Sequence, residues 1–121
     1  MQLINDRTRK SVVETVELAE TRTARRRGLL GRECLPEGAA LMLIPCFAVH
    51  TAFMRFAIDV VFIDRDGRIV RTVSRMAPWR IAIAWRARAV IELPAGRLES
   101  YPVQLGDRLY LAPAREHRRA S

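Results

Sequence analysis

Residues 56–74 read FAIDVVFIDRDGRIVRTVS, and this stretch decides the fold class. Both of its flanks are rich in β-branched and aromatic residues, a composition typical of strands rather than helices. Asp64-Arg65-Asp66-Gly67 stands between the flanks, and an Asp-Gly pair between two such runs is the strongest short-range signal for a hairpin. The stretch therefore predicts two antiparallel strands, 56–64 and 68–74, joined by a tight turn.

Further strand-like segments lie on either side of this hairpin. Residues 11–18 form a strand in which Val12, Val16 and Leu18 are expected on one face. The apolar run 39–44 stops at a proline, the segment 47–54 follows, and the segments 89–93 and 108–112 complete the series. Residues 76–80 read as a loop, and residues 85–88 could be helical. The four phenylalanines, at strand spacing, are assigned to the core: Phe47, Phe53, Phe56 and Phe62.

One short helix is predicted within residues 19–28. Thr21 or Thr23 can cap its start, arginines populate its last turn, and Gly28 is placed to end it. Many short strands with turn signals and one short helix near the N-terminus predict a mainly β, single-domain sandwich or barrel. Its core is expected at about residues 11–112, and residues 114–121 form a flexible tail.

The charge balance is 21 basic against 13 acidic residues, a net charge of +8 with histidine neutral. Such a charge favours anionic partners. However, the arginines are scattered, and Arg25-Arg26-Arg27 is the one compact run. We expect this run to be an exposed, solvated face, which makes nucleic-acid binding the less favoured interpretation.

Neither a secretory signal nor a membrane span is visible in the sequence. No stretch approaches the roughly 20 apolar residues that a spanning helix needs. Cys34 and Cys46 do not form a disulfide framework or a zinc spacing. A cytoplasmic protein with two reduced thiols is expected.

Asp59 is the most informative residue because it interrupts an apolar segment expected to be buried on both sides. An unpaired buried carboxylate is costly, so Asp59 needs a partner. A side chain of the His50–Arg55 segment could supply it, and a His50–Asp59 pair would resemble the start of a catalytic constellation. The favoured alternative is structural: Asp59 accepts hydrogen bonds from backbone N–H groups or from an arginine.

A metal site is not expected. Cys46 and His50 on one strand would lie about 13 Å apart, at a rise of roughly 3.3 Å per residue, too far to share an ion. The same separation argues against Cys46 as a nucleophile activated by His50, so Cys46 is assigned as a small buried apolar residue. Trp79 lies in a loop, where aromatic side chains often line ligand sites, although packing over the loop is its simpler role.

Five short motifs in register carry a family resemblance. They are Gly28–Arg32, His50–Met54, Ile58–Asp64, Glu92–Gly96 and Gly106-Asp107. In order and spacing they resemble domain-of-unknown-function family 192 from about residue 17 to residue 111. The resemblance implies a compact, jelly-roll-like β-sandwich with a short helix packed on it, and it implies no reaction. Many relatives carry Trp-Met-Lys-Asn where this chain has Phe53-Met54-Arg55-Phe56.

These features favour a non-enzymatic ligand-binding or accessory module with a cleft near His50, Asp59 and Trp79. The alternative is an uncharacterised hydrolase or lyase with a His50–Asp59 acid–base pair, and nucleic-acid binding through the arginines ranks third. The expected partner is a small molecule or a protein, with no cofactor. The candidate ligand-binding residues are His50, Thr51, Met54, Asp59, Trp79 and Glu92.

Overall fold

Ten strands and two short helices make up the regular structure of residues 1–114, the part of the chain that the computed structural model describes. In chain order they are β1 (Gln2–Asn5), β2 (Lys10–Val13), β3 (Thr15–Ala19), α1 (Arg22–Arg27), β4 (Ala39–Leu43), β5 (Ala48–His50), β6 (Ile58–Ile63), β7 (Ile69–Met76), β8 (Ile81–Ile83), β9 (Ala89–Pro94), α2 (Arg97–Ser100) and β10 (Leu109–Ala112). The mainly β fold class is confirmed. Apart from residue 114, the predicted tail lies outside the described residues.

The central feature is a five-stranded sheet of order β3-β4-β9-β6-β7. Its β3–β4 pair is parallel, and its other pairs are antiparallel. A three-stranded sheet, β10-β1-β2, and a two-stranded ribbon, β5-β8, accompany it. β6 and β9 lie in the middle of the central sheet and are buried along their whole length.

Two cores lie on opposite faces of the central sheet, because side chains alternate along each strand. On one face, here called the β1 side, Val61 and Ile63 pack with Leu3 and Val13 of the three-stranded sheet. On the other face, the ribbon side, the β6 residues Ile58, Val60 and Phe62 pack with other buried side chains. These include Val49 and Ala82 of the ribbon and Met54, which follows β5.

The predicted hairpin is confirmed. β6 and β7 pair antiparallel, and the carboxylate of Asp64 accepts hydrogen bonds from the backbone N–H groups of Asp66 and Arg68, each at 2.9 Å. The helix is confirmed as well. The hydroxyl of Thr21 accepts a hydrogen bond from the N–H of Ala24 at 3.0 Å, and Gly28 ends the helix with a φ of +48°.

The strand predicted over residues 11–18 is two strands. The N–H groups of Glu14 and Thr15 both donate to the carbonyl of Gly38, and this junction separates β2 from β3. β2 pairs with β1, whereas β3 is an edge strand of the central sheet. Leu18, which was predicted on the same face as Val12 and Val16, is 41 % exposed at that edge, whereas Val12 and Val16 are buried.

The segment 47–54 is a strand only over Ala48–His50. The N–H of Met54 donates to the carbonyl of Thr51 at 3.1 Å, so the chain turns where a strand was predicted. This turn places Phe53 outside the core, and Phe47 precedes the strand at the surface. Of the four phenylalanines assigned to the core, Phe62 is fully buried and Phe56 partly so; the assignment is wrong for the other two.

Three elements were not predicted: β1, β8 and α2. Each is four residues or fewer, too short to show a clear period. Residues 85–88 are not helical, since the N–H of Ala87 closes a turn onto the carbonyl of Ala84. Both cysteines are free, and neither described helix is long and apolar enough to cross a membrane.

Candidate functional site

A cavity of about 310 Å³ lies on the ribbon side of the central sheet. It is bounded by α1 and the turn that follows it, by β4 and β9 of the central sheet, and by β5. Apolar side chains form most of its wall, and polar groups come from β9, the ribbon and the helix. The lining residues are Arg25, Arg26, Arg27, Gly28, Leu29, Leu30, Leu43, Cys46, Ala48, Val49, His50, Met54 and Glu92.

Glu92 is the buried charge of this cavity. It lies in the middle of β9, opposite Leu41 of β4 and Val60 of β6, and only 4 % of its surface is exposed. Burial raises its pKa to about 7, and the nearby Arg32 guanidinium offsets part of this rise. The carboxyl group is therefore divided between its protonated and ionised forms near neutral pH, so it can donate or accept a hydrogen bond.

One oxygen of Glu92 is left without a protein partner. Within residues 1–114, two buried side-chain polar atoms lack a hydrogen bond, Oε1 of Glu92 and Nη2 of Arg97. The guanidinium of Arg97 stacks 3.9 Å from the ring centroid of Tyr101, and this cation–π contact compensates it. Oε1 of Glu92 has no such contact and belongs to a residue that lines the cavity. Buried polar atoms normally have partners, so this oxygen marks a place for a donor.

Helix α1 brings three arginines to the cavity. Its sequence places Arg25, Arg26 and Arg27 in the last turn, where positive charge suits the helix dipole. The expectation that all three are exposed holds for Arg26 and Arg27, but Arg25 is half-buried, because its guanidinium lies toward the carbonyl of Ile44 at 3.5 Å. Gly28 then places the chain beside Glu92: a Cβ at this position would lie 3.6 Å from Oε1, an ordinary van der Waals distance.

Cys46 and His50 line the same cavity. The Cys46 thiol donates to the carbonyl of Ala48 at 3.1 Å, and burial raises its pKa. The thiol is therefore protonated near neutral pH, which makes it a poor nucleophile. Among the described residues, no group of three or more histidine, cysteine or acidic side chains is arranged to hold a metal ion.

The structure brings three of the six candidate residues together. His50, Met54 and Glu92 line the cavity, whereas Thr51, Asp59 and Trp79 do not. The separation of Asp59 follows from the sheet: its cross-strand neighbour is Leu93, whose side chain packs on the β1 side, whereas Glu92 pairs with Val60 on the ribbon side. Asp59 and the cavity are on opposite faces.

Asp59 is a structural residue. It is fully buried, and its two carboxylate oxygens accept hydrogen bonds from the backbone N–H of Arg75 at 2.8 Å and of Leu98 at 2.9 Å. It thereby joins an irregular point of the β6–β7 pairing to the first turn of α2. Of the partners predicted for it, backbone N–H groups are confirmed. A His50–Asp59 acid–base pair does not form, because both oxygens are engaged on the side away from His50.

Thr51 links the loop that follows β5 to the loop between β7 and β8 by hydrogen bonds. Its hydroxyl donates to the carbonyl of Ala77 at 2.6 Å and accepts from the N–H of Arg80 at 2.9 Å. Its backbone N–H donates to the carbonyl of Arg80, and its own carbonyl accepts from the N–H of Trp79. Trp79 is 60 % exposed and meets Phe53 edge to face, with ring centroids 4.5 Å apart.

The cavity residues that the sequence reasoning did not assign to a site come mainly from α1 and the turn after it. Arg25, Arg26 and Arg27 were assigned to a solvated face and Gly28 to the end of the helix. The available signal was the Gly28–Arg32 motif, one of the five that carry the family resemblance.

Fold and cavity together define a class of protein: a small, mainly β domain with a buried carboxylate in the wall of a largely apolar cavity. The chain belongs to the DUF192 family, whose sequence profile, described as uncharacterized ACR, matches residues 3–111.

Archaeal relatives carry the designation UPF0127. The UPF0127 protein PH1112 of Pyrococcus horikoshii is 33 % identical over 113 residues, which cover 88 % of this chain and 96 % of the relative. The protein PYRAB11210 of Pyrococcus abyssi is 32 % identical over 100 residues, with 78 % of this chain and 83 % of the relative covered.

Two solved structures share the fold. A protein provisionally called a transcription regulator (R01717), from Sinorhizobium meliloti 1021, superposes with a TM-score of 0.78 at 24 % identity, covering 90 % of this chain and 89 % of that one. A protein of unknown function from Novosphingobium aromaticivorans superposes with a TM-score of 0.72 at 20 % identity, covering 79 % and 74 %. At these identities the likeness concerns the fold alone.

Proposed function

We propose that the chain is a non-enzymatic binding module for a small molecule and that the ligand occupies the Glu92 cavity. The observation that carries the proposal is the unpartnered Oε1 of Glu92 at a cavity of about 310 Å³. A ligand that donates a hydrogen bond to the Glu92 carboxyl group would offset the cost of a buried carboxyl group that lacks a full set of partners.

The lining indicates the chemistry of the ligand. Leu29, Leu43, Val49 and Met54 favour an apolar body. Glu92 favours a hydroxyl or amino group on this body. The arginines of α1, which line the same cavity, favour an anionic group, because guanidinium groups pair well with carboxylates. A small hydroxy or amino carboxylic acid with an apolar side chain meets all three requirements.

A protein-observed NMR screen tests this proposal. The ¹⁵N-labelled protein is titrated near neutral pH with hydroxy and amino carboxylic acids and with counterparts that lack the hydroxyl or amino group. We expect shifts for amides of the cavity wall, and weaker binding of the counterparts. Glu92→Gln should weaken binding by about tenfold or more, since the substitution changes the acceptor that the ligand needs.

Glu33→Gln is the matched control, because Glu33 is an exposed glutamate outside the cavity. Binding that is equally strong to the Glu92→Gln and Glu33→Gln variants would refute the proposal. So would a screen in which every ligand shifts amides away from the cavity.

A further inference from the structure

The β5–β8 ribbon carries a concentrated apolar surface on its outer side. Cross-strand partners point to the same face, so Val49 and Ala82 face the core, while Ile81 and Ile83 point outward beside their partners His50 and Ala48. Six of the nine exposed large hydrophobic side chains in residues 1–114 belong to this surface, so it is not the usual scatter of single apolar residues. We call it the ribbon face; its members are Phe47, Phe53, Trp79, Ile81, Ile83 and Trp85.

The ribbon face is continuous from one end of the ribbon to the other. At one end Phe47 contacts Trp85 in a tilted arrangement with ring centroids 5.2 Å apart, and at the other end Phe53 meets Trp79 at 4.5 Å. Ile81 lies between them and is 74 % exposed.

The backbone holds two of these side chains outward against its own preference. Phe53 has a φ of +64° and Trp79 a φ of +65°, values that bulky residues rarely adopt. The hydrogen bonds around Thr51 hold this arrangement. Strained residues of this kind concentrate at functional sites.

The charge around the ribbon face has one sign. Residues 45–57 and 76–88, which form the ribbon and its loops, contain four arginines and no acidic residue: Arg55, Arg80, Arg86 and Arg88. All four side chains are exposed. A surface that carries negative charge beside an apolar interior would therefore complement this face.

Two other occupants fit the ribbon face less well. A second copy of the chain would bring its four arginines against the same four, and like charges would oppose the contact. A nucleic acid strand needs ring faces on which bases can stack. Here the rings are paired with each other, and the isoleucines between them offer no stacking surface.

We propose that the ribbon face binds the surface of an anionic lipid bilayer. Tryptophan, phenylalanine and isoleucine side chains enter the boundary between headgroups and acyl chains, and the arginines pair with lipid phosphates. This proposal is independent of the Glu92 cavity and its ligand.

Vesicle binding by the full chain tests the proposal directly. Both tryptophans of the sequence, Trp79 and Trp85, lie on the ribbon face, so intrinsic fluorescence reports on this surface without a label. With vesicles of phosphatidylcholine and phosphatidylglycerol at 3:1, we expect a blue shift, protection from acrylamide and co-flotation. Vesicles of phosphatidylcholine alone should bind at least tenfold more weakly, because each arginine near an anionic surface contributes roughly a factor of five.

Matched variants locate the contact. The double variant Arg80→Gln/Arg86→Gln should weaken binding by about thirtyfold, whereas Arg65→Gln, at the exposed hairpin tip, should bind like the wild type. Ile81→Ser should also weaken binding, and Leu105→Ser should not, although Leu105 is 69 % exposed and Ile81 is 74 % exposed. The exposure of all five positions allows these variants to fold.

Four outcomes would overturn the proposal. The first is an absence of binding to the phosphatidylglycerol vesicles. The second is an equal loss of binding in the Leu105→Ser or Arg65→Gln controls. The third is a concentration-dependent dimer that Ile81→Ser dissociates, which would assign the face to a second copy. The fourth is quenching of the tryptophans by a single-stranded oligothymidine at physiological salt, which would assign it to nucleic acid.

Discussion

At the scale of single residues, two buried carboxylates on adjacent strands have opposite roles. Asp59 of β6 has both oxygens satisfied by backbone N–H groups, while Glu92 of β9 has one oxygen without a partner. The difference arises because alternation along the strands directs Asp59 to the β1 side and Glu92 to the ribbon side. A buried acid with complete hydrogen bonding stabilises the fold, whereas an incomplete one is held at a cost to stability.

Asp59→Asn should lower the free energy of unfolding by about 2–3 kcal/mol, because the new amide keeps one acceptor oxygen but turns its N–H₂ group toward the other backbone N–H donor, which loses its acceptor. Urea denaturation of the variant beside wild type measures the loss. Asp66→Asn, at the exposed hairpin tip, should change stability little. An unchanged midpoint for Asp59→Asn would show that the carboxylate does not hold β7 and α2 together.

Glu92 should make the protein less stable as the pH rises. Its folded-state pKa, about 7, is above its ordinary value of 4.5, so between these values the native state binds more protons than the unfolded state. Stability should therefore fall by about 3 kcal/mol from about pH 5 to about pH 8. Urea denaturation at several pH values should show this decline in wild type and a nearly flat profile in Glu92→Gln. A rise in wild-type stability over that range would contradict the assignment.

At the scale of elements, the β5–β8 ribbon is stabilised by side-chain contacts and hydrogen bonds as well as by the backbone hydrogen bonds between its two strands. Each ribbon strand has only three residues, and a short two-stranded unit is marginal by itself. The inward contacts of Val49 and Ala82 add burial, and the hydrogen bonds of Thr51 join the loops at one end of the ribbon. Thr51 therefore positions the Phe53–Trp79 pair.

Thr51→Val keeps the shape of the side chain but removes the hydroxyl. We expect a loss of about 2 kcal/mol, because the N–H of Arg80 and the carbonyl of Ala77 lose a buried partner. Hydrogen exchange should speed up at the amides of Trp79 and Arg80 more than at those of β6. Thr72→Val, in the middle of β7, is the control, since valine suits a strand. Uniform acceleration across the chain would argue against a local role.

At the scale of the whole molecule, residues near the two ends of the described chain meet at Asp107. Its carboxylate accepts from the Arg7 guanidinium at 2.7 Å, from the Asn5 amide at 2.9 Å and from the N–H of Gln104 at 2.8 Å. The bond from Arg7 lowers the pKa of Asp107 to about 2, with smaller contributions from Asn5 and Gln104, against the effect of burial. This cluster closes the β10-β1-β2 sheet over the β1 side.

Acid should destabilise the fold by protonating Asp107 and weakening its hydrogen bonds to Arg7, Asn5 and Gln104. A depressed folded-state pKa gives stability that is present above the ordinary value of 3.8 and is lost as the pH falls through about 2. Circular dichroism during acid titration should therefore show wild type losing stability between about pH 4 and pH 2. Arg7→Gln should be less stable near neutral pH and should show a smaller change across that window. Arg9→Gln, an exposed neighbour, should resemble wild type.

The sequence by itself determined the features that local chemistry controls. The hairpin at Asp64–Gly67 follows from turn geometry, the helix from its Thr21 and Gly28 caps, and the burial of Asp59 from the apolar run around it. Only the tertiary structure decided which side of the central sheet each residue faces and what covers it. Strand alternation is visible in a sequence, but the pairing partner and the covering element come from residues distant in the chain. For this reason Glu92 rather than Asp59 faces a cavity with His50, and Phe47 and Phe53 lie at the surface.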